Sequence, residues 1–336
     1  MNARREIRQH GGRREGGEKT RRETRKEPLL PLYRFEGALP KECGDGNLGL
    51  WFDKFFDRWR LLEPSAQQEE RQQGRQQQQE RLRRSEGAEA ASAIPSWTTQ
   101  ATRDDNPKLD WLTKLAQGGT PVGWEDLLRE SAVRMVRLVE AHGGRWRVFR
   151  TTSRFVTGLG RRHPVENGFA WHSTLGVPYL PGSSVKGMVR AWTRLVAPED
   201  GERMRRLFGR DADERSEGGQ ESQQGAVAFL DAIPCRPPRL AVDVMTPHYA
   251  NWTEDDPPGD WRSPVPVFFL TTEQGARFLF GVIPAGNVSG EDLDRVMDWL
   301  AGALDWAGAG AKTASGYGRM APDEAVEAEL RKKAGV

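Results

Sequence analysis

Apolar residues fall into blocks separated by long polar stretches, and the spacing inside each block points to an element. Between Leu50 and Leu62, the residues Trp51, Phe52, Phe55, Phe56, Trp59 and Leu62 recur at helical intervals, and Pro64 closes the run. The spacing predicts an amphipathic helix whose aromatic face is covered either by its own domain or by a groove on a neighbouring subunit. Trp111, Leu112 and Leu115 resume the pattern, and Trp124 to Ala141 reads as a helix stopped by Gly143-Gly144. Trp146 to Phe155 alternates in strand fashion, and Gly225 to Ile233 reads as a further strand. Val265 to Leu270 and Arg277 to Ile283 read as two strands of an antiparallel pair. From Asp292 to Trp306 a helix is expected, with Leu293, Val296, Met297, Leu300, Ala303 and Leu304 on one face. Strands and helices mix without βαβα regularity, so the pattern predicts an α+β fold.

The polar stretches divide the chain further. Residues 1–45 read as a disordered basic N-terminal arm, since Met1 to Lys26 is dense in Lys and Arg and nearly devoid of apolar residues. Residues 46–63 hold the amphipathic helix. Residues 64–106 read as a low-complexity, Gln-rich linker, 107–320 as the folded domain and 321–336 as a charged tail. Overall 37% of residues are hydrophobic and 29% charged, with a net charge of +2. That near-balance excludes a uniformly cationic polyanion binder and leaves room for local basic surfaces. Cys43 and Cys235 lack any metal-ligand or disulfide-framework spacing. No apolar run approaches the roughly 20 residues of a membrane span, and the charged N-terminus is unlike a secretory signal. A cytoplasmic location is expected.

The densest chemistry lies in Gly308–Arg319, where four glycines alternate with Lys312, Thr313, Ser315, Tyr317 and Arg319. Backbone amides beside cationic side chains make a phosphate cradle. A nucleotide P-loop is excluded, because Ala311 and Trp306 stand where that motif needs glycine and the context is helix then loop. A second motif, Pro181-Gly182-Ser183-Ser184-Val185-Lys186-Gly187, reads as a helix entry. Ser183 or Ser184 is expected to cap the helix, which places Lys186 and Arg190 one turn apart beside free backbone donors. The candidate binding residues are therefore Ser183, Ser184, Lys186, Arg190, Gly310, Lys312, Thr313, Gly316, Tyr317, Gly318 and Arg319, and the resemblance given next implies RNA as their ligand.

Gly310-Ala311-Lys312-Thr313 followed by Gly316-Tyr317-Gly318 resembles the C-terminal glycine loop of the RAMP superfamily, the RNA-binding subunits of CRISPR ribonucleoproteins. The PGSS-x-KG segment, Leu207-Phe208-Gly209 and Asp243 to Thr246-Pro247-His248-Tyr249 resemble other stretches of that family, in its order. The resemblance spans about Arg147 to Met320 and is strongest to the subunit-six group of type III-B (Cmr) effectors. It implies a ferredoxin-like (RRM-like) core with helical N-terminal additions and insertions. It also implies a CRISPR guide RNA, its target RNA duplex and other Cmr subunits as partners, with the 3′ part of the guide as this subunit's share.

Three functions compete. One is a non-catalytic RNA-binding subunit. Another is a metal-independent ribonuclease using His163, His172 or His248 as the base that activates a 2′-hydroxyl. The last is a protein-only scaffold. Slicing relatives carry an aspartate in the loop after the first strand, whereas Thr157 to Ser173 has Glu166 as its only carboxylate. Asp231 and Asp243 form no metal pattern. The expectation is no catalytic residue, no metal and no cofactor.

Overall fold

The computed structural model describes residues 46–56, 60–61, 97–98, 106–121, 123–198, 200–210, 223–247 and 264–336. The basic arm, most of the Gln-rich linker, the polar loop after Arg210, and His248 with Tyr249 lie outside the described residues.

In chain order the elements are α1 (Leu48–Lys54), α2 (Pro107–Gln117), α3 (Trp124–Ala141), β1 (Arg145–Thr151), α4 (Gly182–Val196) and α5 (Gly201–Phe208). There follow β2 (Val227–Phe229), β3 (Ile233–Pro234), β4 (Leu240–Met245), β5 (Val267–Thr272), β6 (Arg277–Pro284), α6 (Gly290–Gly302), β7 (Met320–Pro322) and α7 (Glu324–Ala334). The central sheet runs β7-β1-β6-β2, every pair antiparallel, with β3 also on β6. The succession β1-α4-β2-β6-α6-β7 in that spatial order is the ferredoxin-like arrangement expected from the sequence.

Alternation along the strands sends side chains to two covered faces. Phe149, Phe278, Phe280 and Val282 pack under α4 and α6 with Val185, Val189, Val296 and Leu300. Trp146, Val148 and Leu279 face the other way, onto α3 and α7 through Val136, Val139, Val326 and Leu330. The stretch read as a charged tail is thus a strand and a helix. Its apolar residues, Val326, Leu330 and Ala334, are few but recur every fourth position on one buried stripe.

The N-terminal aromatic block forms a third cluster. Trp51 stacks on Trp111 at 4.2 Å and Phe52 lies 4.0 Å from the His163 ring, so the aromatic face is covered by its own domain. The helix is shorter than its spacing suggests. Asn47 caps it, it ends at Lys54, and Arg60–Leu61 instead pairs as a strand with Trp97–Thr98, inside the expected linker.

The expected pairing of Val265–Leu270 with Arg277–Ile283 is not formed. β5 pairs with β4 and is tied to Phe155, whereas β6 sits at the centre of the main sheet. The turn between them, with Gly275 at φ +92°, carries the chain from one sheet to the other.

Candidate nucleic-acid interface

The glycine loop is bonded along the segment that follows β1. Ala311 N–H donates to Val156 O (2.8 Å), Gly318 N–H to Arg154 O (2.8 Å) and Arg319 N–H to Ser153 Oγ (3.0 Å). Across the loop, Ala309 N–H donates to Gly318 O (2.9 Å). Contact this close requires glycine. A Cβ on Gly310 would lie 2.1 Å from Val156 O, and one on Gly318 would lie 1.9 Å from Ala309 O. Gly316 has a positive φ of +86° but open space around it. Many of the amides expected to cradle phosphate therefore bind the protein itself.

Side chains in the loop divide in the same way. Tyr317 donates its hydroxyl to Asp243 Oδ2 (2.7 Å), and Arg154 Nη1 donates to the same oxygen (2.7 Å). Burial and the bond to Asp243 push the Tyr317 phenol up to about 12. Burial opposes the Asp243 charge, but the bonds from Tyr317 and Arg154 outweigh it and hold that carboxyl below its usual range. Tyr317 is a cross-tie between the loop and the β4 strand. Arg319 donates to Asp305 O (2.9 Å), in the π-helical turn Ala303–Ala307 that ends α6. Lys312 is half-exposed, in a left-handed conformation (φ +58°), with Nζ 5.5 Å from the Phe269 ring centre.

Across from this loop stands α4. The two glycine motifs do meet, on a cleft of 590 Å³ walled by Thr157–Gly160, by Ser184, Met188, Trp192 and Leu195 of α4, and by Gly308, Gly310, Ala311 and Thr313. No charged residue among the described ones lines it. The helix entry differs from expectation. Pro181 occupies the cap position without a side-chain bond, Ser183 and Ser184 are already helical, and the Gly182 N–H donates to Asp231 Oδ1 (2.7 Å). A protein carboxylate thus occupies a donor read as available to an anion. Glycine is needed at 182, where a Cβ would lie 2.2 Å from Phe229 O. Lys186, about 200° around the helix from Ser184, is on the opposite flank from the cleft. Arg190 lines a separate cleft with Arg194 and Arg205.

The family model for the RAMP superfamily matches residues 148–321, just over half the chain. The chain belongs to the RAMP superfamily. Over 227 residues it is 30% identical to the CRISPR system Cmr subunit Cmr6 of Pyrococcus furiosus, covering 51% of this chain and 66% of that protein. Over 118 residues it is 33% identical to Cmr6 of Saccharolobus solfataricus, covering 34% and 36%. A chain of the type III-B Cmr-beta complex bound to cognate target RNA shares the fold, with a TM-score of 0.50 and 21% identity over 64% of this chain and 71% of that one.

Of the three histidines weighed as bases, His163 and His172 lie among the described residues, and both make hydrogen bonds within the fold. His163 donates from Nε2 to Phe52 O (2.9 Å) and accepts at Nδ1 from Val165 N–H (3.2 Å), and burial lowers it to about 4. His172 accepts at Nδ1 from Leu175 N–H (3.2 Å), closing a turn. Glu166 is ion-paired with Lys108. No group of His, Cys, Asp and Glu among the described residues is arranged to hold a metal ion. The sequence reading weighed Asp231 only as a metal ligand and missed its bond to the entry of α4, and it missed the arginines of α5. The first carried no motif, and the second showed only as a density of Arg between 194 and 210.

Proposed function

We propose that this chain is a non-catalytic RNA-binding subunit of a type III-B (Cmr) CRISPR ribonucleoprotein. It holds the guide RNA, by this reading its 3′ part, together with the guide–target duplex and adjoining Cmr subunits, in defence against foreign RNA. The observation that carries the reading is the identity the chain shares with two Cmr6 proteins, 30% over 227 residues and 33% over 118. The structure adds a constraint. RRM domains stack bases on an open sheet face, but here that face lies under α3 and α7. RNA contact then falls to loops and helix flanks, which grip backbone and shape while base pairing reads sequence. The non-catalytic reading is supported by His163, whose two ring nitrogens are both bonded within the fold, by the Nδ1 bond of His172 and by the ion-paired Glu166.

The test uses the purified full chain with end-labelled single-stranded RNA and with a guide–target duplex, with and without Mg²⁺. The expected result is bound, intact RNA in every case. Cleavage lost in His172→Ala would overturn the non-catalytic role, and failure to bind RNA at low salt would overturn the RNA-binding role.

A further inference from the structure

A groove built for phosphate carries cations, and the cleft between α4 and the glycine loop has none among its described lining residues. Backbone donors around it are largely committed as well. The Ala309, Ala311 and Gly318 amides bond within the fold, and Gly182 N–H donates to Asp231. An anion drawn into such a site would give up its water for too little in return. An uncharged group of similar size escapes that cost.

What the cleft offers is an apolar wall facing a thin backbone wall. Met188, Trp192 and Leu195 of α4 form the first, and Leu195 is 75% exposed although it lines the cleft. Trp192 is seated against Gly302, where a Cβ would lie 2.7 Å from its Nε1. Opposite, Gly310 and Ala311 present backbone with almost no side chain. Among the described residues, the Ser184 and Thr313 hydroxyls and the Gly310 N–H make no hydrogen bond within the fold. A mostly apolar slot with a few convergent polar groups suits a nucleobase, which stacks on its faces and is read along its edge. Lys312, between the wall residues Ala311 and Thr313, is half-exposed and outside the lining. Its charge stands beside the cleft, not in it. That order matches a nucleotide, whose charged phosphates flank an uncharged ring.

We propose that this cleft takes one unpaired nucleobase of a bound RNA strand, leaving the flanking phosphates outside it. The proposal rests on the RNA-binding reading above and adds which part of a nucleotide the glycine motifs hold. The test measures anisotropy with the full chain across a NaCl series. Its probes are a fluorescein-labelled oligouridylate and an abasic ribose-phosphate oligomer of the same length and charge. It compares wild type, Ser184→Leu/Ala191→Leu, Leu195→Ser, and Leu138→Ser as an exposed control on α3, across the sheet. The leucine pair fills the cleft from two exposed helix positions without adding a ring. Wild type is expected to bind the abasic oligomer more weakly than the uridylate. The leucine pair should weaken uridylate binding about tenfold, the scale of one stacked base, with the salt slope unchanged because no phosphate contact is lost. Leu195→Ser should act in the same direction, all variants should bind the abasic oligomer alike, and the control should match wild type. If wild type binds both probes equally, or both cleft variants bind the uridylate as wild type does, the proposal is overturned. A fallen salt slope in the leucine pair, or loss of a protein partner alone, equally overturns it. If wild type binds no RNA, the RNA-binding reading and this proposal both fail.

Discussion

Gly310 and Gly316 share nearly the same left-handed backbone, φ +85° and +86°, yet stand in opposite surroundings. Around Gly316 there is open space, so Gly316→Ala should cost only the left-handed strain, about 1–2 kcal/mol. Gly310→Ala adds a clash with Val156 O at 2.1 Å and should cost several-fold more, separating the loop from the post-β1 segment. Urea denaturation of the two variants checks the order; equal losses would mean that the loop is not held against Val156. The glycine pattern made this special backbone legible in the sequence. It could not show which glycines serve a turn and which a close approach, because that depends on a partner more than 150 residues away. Tyr317 illustrates the same limit. It stood among the candidate binding residues, and its hydroxyl donates to Asp243, on a strand the apolar pattern did not reveal.

Among the elements, those with dense apolar stripes were readable and those shaped by distant pairing were not. α3 is the clear case. Trp124, Leu128, Ala132, Val136 and Val139 mark one face, and the helix spans the residues the spacing indicates. α1 shows the failure, because Arg60–Leu61, inside the expected helix, pairs as a strand with Trp97–Thr98. Tertiary pairing overrides local spacing there. α7 was hidden by its many charges, yet it buries Val326, Leu330 and Ala334 against Trp146, Val148 and Leu279. Deleting Glu324–Val336 should therefore destabilise the chain by roughly 5 kcal/mol, the scale of losing two large apolar side chains and a small one from a core. The readout is the urea midpoint, and a deletion that leaves it unchanged would show that the helix is not part of the core.

At the scale of the whole molecule, the ferredoxin-like order was legible through the family motifs, while the propensities alone reached only α+β. The sequence singled out both glycine motifs, which face each other across one cleft. It did not show that the cleft lacks charge, or that the cations of α4 point to the other flank. Helical phase separates Ser184 from Lys186 regardless of their adjacency in the motif. A sheet closed on both faces leaves loops and helix flanks as the surfaces for the RNA contact proposed above. The most direct test is recovery of the tagged full chain from its native cells, with sequencing of bound RNA and mass spectrometry of bound proteins. The account predicts guide RNAs derived from CRISPR arrays together with other Cmr subunits; recovery of the chain with neither, or with bulk cellular RNA alone, would contradict it.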